Sequence, residues 1–245
     1  LLERGSFFMK LIINDVWKKF DQTEVLKGIN FSFEHGKIYG LLGRNGAGKT
    51  TLFNCLNQDI NVDHGTFILM EEDGIEKQAT IEDIGYVLST PVVPEFLTGR
   101  EFLKFFIEVN NEVISDAKTI DEYFDFVRIN NDDRDKLLKD YSHGMKNKMQ
   151  MLINFIIHPK ILLLDEPLTS LDVVVAEEMK QILKGIKKDR IIIFSTHIME
   201  LALDLCDEIV ILHQGYLEEV KNNDLNSKEF KDKIINALKD DDRYA

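Results

Sequence analysis

The sequence predicts an α/β fold: a mostly parallel sheet, an N-terminal antiparallel β subdomain and an inserted α-helical subdomain. Three observations predict it. Short apolar runs at Lys160–Leu164 and Arg190–Ser195 alternate with helix-periodic segments, as buried parallel strands joined by right-handed crossovers do. Ahead of them, Leu11–Trp17 and Ile29–Phe33 alternate as half-buried strands. Between these regions Gly99–Asn110, Thr119–Ile129 and Asp133–Leu138 are charged and helix-periodic, with Phe102, Phe105, Phe106, Tyr123, Phe124 and Phe126 interleaved.

In chain order, Leu11–Trp17 and Ile29–Phe33 are joined by a linking loop at Gln22–Lys27 and form a small antiparallel sheet. Lys37–Leu42 is a strand entering a tight turn, and Thr51–Asn57 a helix with Leu52, Cys55 and Leu56 on one face. Thr66–Met70 and Ile84–Leu88 read as strands, with the acidic Glu71-Glu72-Asp73-Gly74 as a solvated hairpin turn between them. After the helical stretch, Asp172–Lys187 and Ile198–Cys206 are helices, and Glu208–Leu212 a strand turning at Gln214-Gly215 into Tyr216–Val220. Ser227–Lys239 is amphipathic, with Phe230, Ile234 and Leu238 in line. The expected division is an α/β core with its β subdomain over 9–89 and 159–220, a helical insertion over 90–158 and a C-terminal helix and tail over 221–245.

At 245 residues and 44% hydrophobic content the chain is one large domain, or one core with an inserted subdomain. Leu1–Phe8 look foreign ahead of Met9, a candidate natural start. A net charge of −13 argues against nucleic acid or bare anionic membrane as a direct partner, because both are polyanions. Ile161–Leu164 and Ile209–Leu212 are far too short to span a bilayer, so direct membrane insertion is not expected. No signal-peptide order of charged, apolar and small residues is visible. Cys55 and Cys206 sit at apolar-flanked helical positions and read as buried thiols in a reducing compartment, the cytosol.

The chemistry begins at Gly43-Arg44-Asn45-Gly46-Ala47-Gly48-Lys49-Thr50-Thr51, which fits the G-x-x-x-x-G-K-[ST] pattern of a P-loop. Its glycines let successive backbone N–H groups curl around a phosphate chain, and the following helix start adds partial positive charge. Lys49 would reach the terminal phosphates, and the Thr50 hydroxyl would face Mg²⁺. Nucleotide binding follows; the pattern alone leaves the nucleotide open.

Ile161-Leu162-Leu163-Leu164-Asp165-Glu166 is an apolar strand ending in two carboxylates, on the sheet edge where ligands of open α/β sheets bind. Asp165 is placed to hold Mg²⁺ directly or through water. Glu166, turned the other way, is placed to act as general base on a water attacking the γ-phosphate. His197 follows the next buried strand; it reads either as a packed residue or as a γ-phosphate contact. Ser142 N-caps a helix running to about Ile157, and that helix start is also a ready anion site lying far from the P-loop of its own chain. Phe20 is either core packing or a binding aromatic.

From about Lys10 to Glu219 the order of motifs resembles the ATP-binding subunit of an ABC transporter. The match comprises the P-loop, Tyr141–Lys146 at the place of the LSGGQ signature, Leu164-Asp165-Glu166-Pro167, Ser170-Leu171-Asp172 of D-loop type, and His197 as switch histidine. The resemblance implies a P-loop ATPase core that binds and hydrolyses ATP with Mg²⁺. It also implies a head-to-tail homodimer or pseudo-dimer in which Ser142 and Gly144 of one copy face the P-loop of the other. Phe20 would stack on adenine, and the helical insertion would touch separate membrane-spanning subunits, which implies a cytoplasmic position on the inner face of the cell membrane.

Three positions depart from the family pattern. His143 stands for the first signature glycine and Met145 for the glutamine, a Gly-Met-Lys variant similar to that of exporters linked to antibiotic resistance. Ser89 stands where the family carries a glutamine that contacts Mg²⁺ and the attacking water, and Ser is too short to do so directly. The expected function is therefore the ATPase of an exporter. The alternatives are an ATP-binding regulatory module with little hydrolysis, which Ser89 motivates, and a soluble ABC ATPase uncoupled from transport. The last is disfavoured by an acidic single cassette without a coiled-coil insertion.

Overall fold

The computed structural model describes residues 9–71, 74–114, 118–169 and 171–220, with 229, 231, 232, 234 and 235 beyond them. Strand β1 (Lys10–Phe20) and strand β2 (Thr23–Glu34) form a long antiparallel hairpin, closed where Phe20 pairs with Thr23. Asp21 in that turn has φ +52°, a left-handed conformation that Asp tolerates better than most residues. The loop expected over Gln22–Lys27 is therefore mostly strand. Partner β1 supplies the ladder, and Leu26 is buried within it.

After β3 (Ile38–Leu42) and helix α1 (Lys49–Leu56) come β4 (His64–Met70) and β5 (Glu76–Gln78), which complete a sheet of order β2-β1-β4-β5. The hairpin partner of β4 is thus β5, not Ile84–Leu88. All three β5 residues are exposed and polar, so no hydrophobic alternation marks the strand. Residues 72 and 73 of the acidic turn lie outside the described residues, as do 1–8. Ile84–Val87 is β6 and pairs parallel to β7 (Ile161–Asp165) in the other sheet.

Between β6 and β7 run helices α2 (Gly99–Val109), α3 (Ile120–Phe126), α4 (Asn131–Arg134) and α5 (His143–Ile157). Thr98 and Thr119 open α2 and α3 with capping boxes, each Thr hydroxyl accepting from the N–H of Glu101 or Glu122, whose carboxylate accepts in return. Of the helix expected over Asp133–Leu138 only Asp133 and Arg134 are α-helical, as the end of α4. Leu138 N–H instead donates to Leu97 O, and Thr98 bridges Leu137, so the chain is drawn out of helix. Phe102, Tyr123 and Phe124 enter the core; Phe105 stays exposed.

Helix α6 (Val173–Ile186), β8 (Ile191–Thr196), α7 (Met199–Leu205), β9 (Glu208–His213) and β10 (Tyr216–Val220) complete the chain. The second sheet has order β10-β9-β3-β8-β7-β6, parallel except for β10. Every residue of β3, β7 and β8 is buried, which accounts for their unbroken apolar runs. Register then positions the site: Leu42 pairs with Thr196, and Asp165 with Ser195, so three strands end at one level. Cys55 and Cys206 are buried free thiols, as the sequence suggested. Ile234 in the C-terminal segment is buried in the core; Phe230 and Leu238 lie outside the described residues.

Candidate functional site

The buried strand β3 delivers the chain to Gly43, where an added Cβ would meet Leu212 O at 2.7 Å. Gly48, at φ +103°, closes the loop against Val25 and N-caps α1, a backbone conformation that L side chains rarely adopt. Lys49 then turns back beneath the loop. Its Nζ donates to Gly43 O (2.7 Å) and Arg44 O (3.1 Å) and lies 3.5 Å from Glu166 Oε1. The residue is only 5% exposed. Burial holds its ammonium below the ordinary lysine range, against the opposing pull of the Glu166 carboxylate.

At the end of β7 the two carboxylates part company. Asp165 is buried and accepts from Thr50 Oγ1 (2.8 Å) and from Ser195 Oγ (2.5 Å). Glu166 takes φ +47°, an uncommon backbone for a non-glycine residue, and so points away from Asp165. Its N–H donates to Ser195 Oγ (3.0 Å) and Ser195 O (3.2 Å), while His197 Nδ1 lies 3.0 Å from its Oε1. Lys49, Glu166 and His197 therefore form one chain of contacts beside the loop.

A cleft of about 460 Å³ lies over these groups. Asn45, Gly46, Gly48, Lys49, Thr50 and Thr51 line one side. Phe20, Ser89, Asp165 and Glu166 also line it, whereas Gly43, Asn45 and His197 frame an adjoining hollow, and Ala47 faces the outer side of the loop. Phe20 is 45% exposed with its ring at the rim, so it is not a core residue. Ser142 and Gly144 are not among the lining residues of either space. Ser142 Oγ accepts from Met145 N–H as the N-cap of α5, and Gly144 faces Leu171 and Val175. Ser170 of the D-loop-type motif lies outside the described residues.

Among the described residues no group of three or more His, Cys, Asp or Glu side chains is arranged to hold a metal by itself. The Thr50 hydroxyl and Asp165 carboxylate are hard oxygen donors side by side, a set that suits Mg²⁺ when phosphate oxygens and water complete it.

Two contributors had no role in the sequence reading. Val25, assigned to a loop, packs on Gly48. Ser195, fully buried, ties Asp165 to the backbone of Glu166, and the only signal for it is a hydroxyl at the end of an otherwise apolar strand. Ser195→Ala is expected to lower kcat of ATP hydrolysis about 10–100-fold, the range for groups that orient metal ligands. The KM for ATP should change little, and half-saturating Mg²⁺ should rise. A lost rate without altered Mg²⁺ dependence would point to loosened packing instead.

The comparisons with known proteins agree with this geometry. A family model described as ABC transporter matches residues 26–169. The bacitracin transport ATP-binding protein BcrA of Enterococcus faecalis is 31% identical over 215 residues, covering 86% of this chain and 69% of that protein. A solved "Structure of ATP binding subunit of ABC transporter" superposes with a TM-score of 0.75 at 22% identity, over 92% of this chain and 99% of the other. CbiO1 from Clostridium perfringens, described as part of the ABC transporter complex cbiONQ, has a TM-score of 0.71 at 23% identity and covers 92% of both chains. A glycine-rich loop between strand and helix, a strand-end carboxylate pair and this family match lead to one conclusion: the chain belongs to the ABC transporter family, as an ATP-binding subunit that hydrolyses ATP to power transport.

Proposed function

We propose that the chain drives an exporter by closing head to tail on ATP with a second ATP-binding domain, one cleft being completed by Ser142 and Gly144 of the other copy. The observation that carries this reading is the separation within one chain. The phosphate loop, Asp165 and Glu166 share a cleft, while the capped start of α5 is exposed elsewhere. A free helix N-terminus with a serine hydroxyl is suited to an anion that its own chain does not supply.

In this reading the phosphates lie in the Gly43–Gly48 loop with Lys49 on the terminal ones, and adenine stacks on Phe20. Thr50 and Asp165 hold Mg²⁺, which when bound neutralises phosphate charge. Glu166 accepts the proton of the attacking water, and His197 holds the carboxylate and meets the γ-phosphate. Among the described residues no helix is long and apolar enough to cross a membrane. Separate membrane-spanning subunits contacting the helical segment 90–158 would supply the path, which places the chain on the cytoplasmic face. The likeness to a bacitracin transport subunit and the Gly144-Met145-Lys146 variant favour the antibiotic-resistance type.

Size-exclusion chromatography of Glu166→Gln with Mg²⁺ and ATP tests the sandwich. A dimer that dissociates when ATP is withdrawn is expected; monomer throughout would sink it.

Ser89 motivates a second reading, a regulatory module that closes on ATP and turns over slowly. It lines the same cleft as Glu166, where its short side chain leaves room for an intervening water. Ser89→Gln is expected to raise the rate of phosphate release. An unchanged rate would remove Ser89 as a brake.

A further inference from the structure

A second cleft, of about 370 Å³, lies at the far ends of the helices and shares no lining residue with the nucleotide cleft. It is formed where α5 ends at Ile157 and α6 at Ile186, beside the start of β8. Val113, Tyr123, Phe126, Leu152 and Phe155 give it an apolar wall. Its volume falls within the roughly 300–1,000 Å³ of small-molecule sites.

Arg190 also lines this cleft and is only 3% exposed, yet its Nε and Nη1 make no hydrogen bond. A guanidinium out of water with unmatched donors costs free energy, and native structures rarely leave one so. The C-terminal ends of α5 and α6 carry partial negative charge, which explains why a cation is tolerated. Neither end provides an acceptor for those two nitrogens. Asp189 lines the cleft too, and its charge favours the Arg190 guanidinium, but among the described residues no ion pair joins the two. His158 is held toward its neutral form by burial and by the Arg190 charge, and Lys118 stands at the wall with its Nζ 5.8 Å from the Phe126 ring centroid.

We propose that this cleft binds a monocarboxylate with an apolar chain or ring, its carboxylate on Arg190 and its body against Tyr123, Phe126 and Phe155. Guanidinium is the side chain best matched to carboxylate, and a carboxylate in the cleft would reach its one remaining nitrogen and supply a counter-charge to a cation that has no ion pair among the described residues. The apolar wall disfavours a free inorganic anion, which would keep its own hydration. Nothing in this proposal depends on the direction of transport or on dimer closure.

Calorimetric titration with octanoate tests it, with acetate and octanol as controls for head and tail alone. Saturable binding of one octanoate per chain is expected, with acetate and octanol each at least about tenfold weaker. Arg190→Met, which keeps an apolar stem, should weaken octanoate about tenfold or more while leaving octanol unchanged. Gly185→Leu provides a variant that leaves Arg190 intact. An added Cβ at Gly185 meets nothing within 4 Å, and leucine is the better helix former, so the fold should hold while the cleft fills and octanoate binding is lost. Octanol binding as tightly as octanoate, Arg190→Met or Gly185→Leu binding like the unaltered protein, or no saturable octanoate binding would each overturn the proposal.

Discussion

Replacing Glu166 with glutamine is expected to cut Mg²⁺-dependent phosphate release by about 10²–10⁴-fold while ATP still binds, the contribution usual for a positioned general base. The expectation rests on where the carboxylate is held. The left-handed backbone at Glu166 turns it out of line with Asp165, and Ser195 fixes that backbone through its N–H. His197 Nδ1 then lies 3.0 Å from both carboxylate oxygens, and Lys49 Nζ 3.5 Å from Oε1, beside the glycine-rich loop. Glutamine keeps the shape and can hydrogen-bond to both neighbours, but it cannot accept a proton at neutral pH. A single-turnover assay with labelled ATP separates chemistry from release. If the variant hydrolysed ATP within a few-fold of the unaltered rate, Glu166 would not be the base, and another group or the substrate itself would have to take the proton.

Lys49→Ala is expected to weaken ATP binding severely and to lower turnover by about 10²–10³-fold, as loss of a donor aimed at developing charge does. Its ammonium is buried and sits under the loop that would hold the phosphates, tied to two of that loop's carbonyls. The same change leaves the Gly43 and Arg44 carbonyls without that donor, so the thermal midpoint without nucleotide should fall by about 2–4 °C for each kcal/mol lost. Nucleotide-dependent thermal stabilisation should vanish. Differential scanning calorimetry with and without ATP reads both effects. Retained stabilisation by ATP would mean that the backbone N–H groups and Thr50 carry the affinity without Lys49.

Much of the site was legible because its chemistry is local in sequence. The glycine-rich motif is nine consecutive residues that lead from a strand into a helix, and Gly46 and Gly48 take left-handed backbone that no other residue accepts easily. Asp165 and Glu166 are neighbours at the end of an apolar strand, and that run predicts which end of the sheet they reach. Weakly patterned segments were misread where their structure depends on distant partners. β5 is three exposed polar residues whose ladder partner is β4, and Thr23–Lys27 becomes strand because β1 lies beside it.

By itself, then, the sequence determined the α/β class, the glycine-rich turn between strand and helix, and the order of motifs that marks the ABC transporter family. Only the tertiary structure decided that Ser195 joins Asp165 to Glu166 and that Ile84–Val87 runs parallel to β7. It alone also brought Arg190, unmatched, into a cleft between helix ends. The physical reason is common to all three. Hydrogen-bond partners and neighbouring strands come from residues far apart in the chain, and a hydroxyl or a guanidinium carries no periodic signal that says whom it will meet.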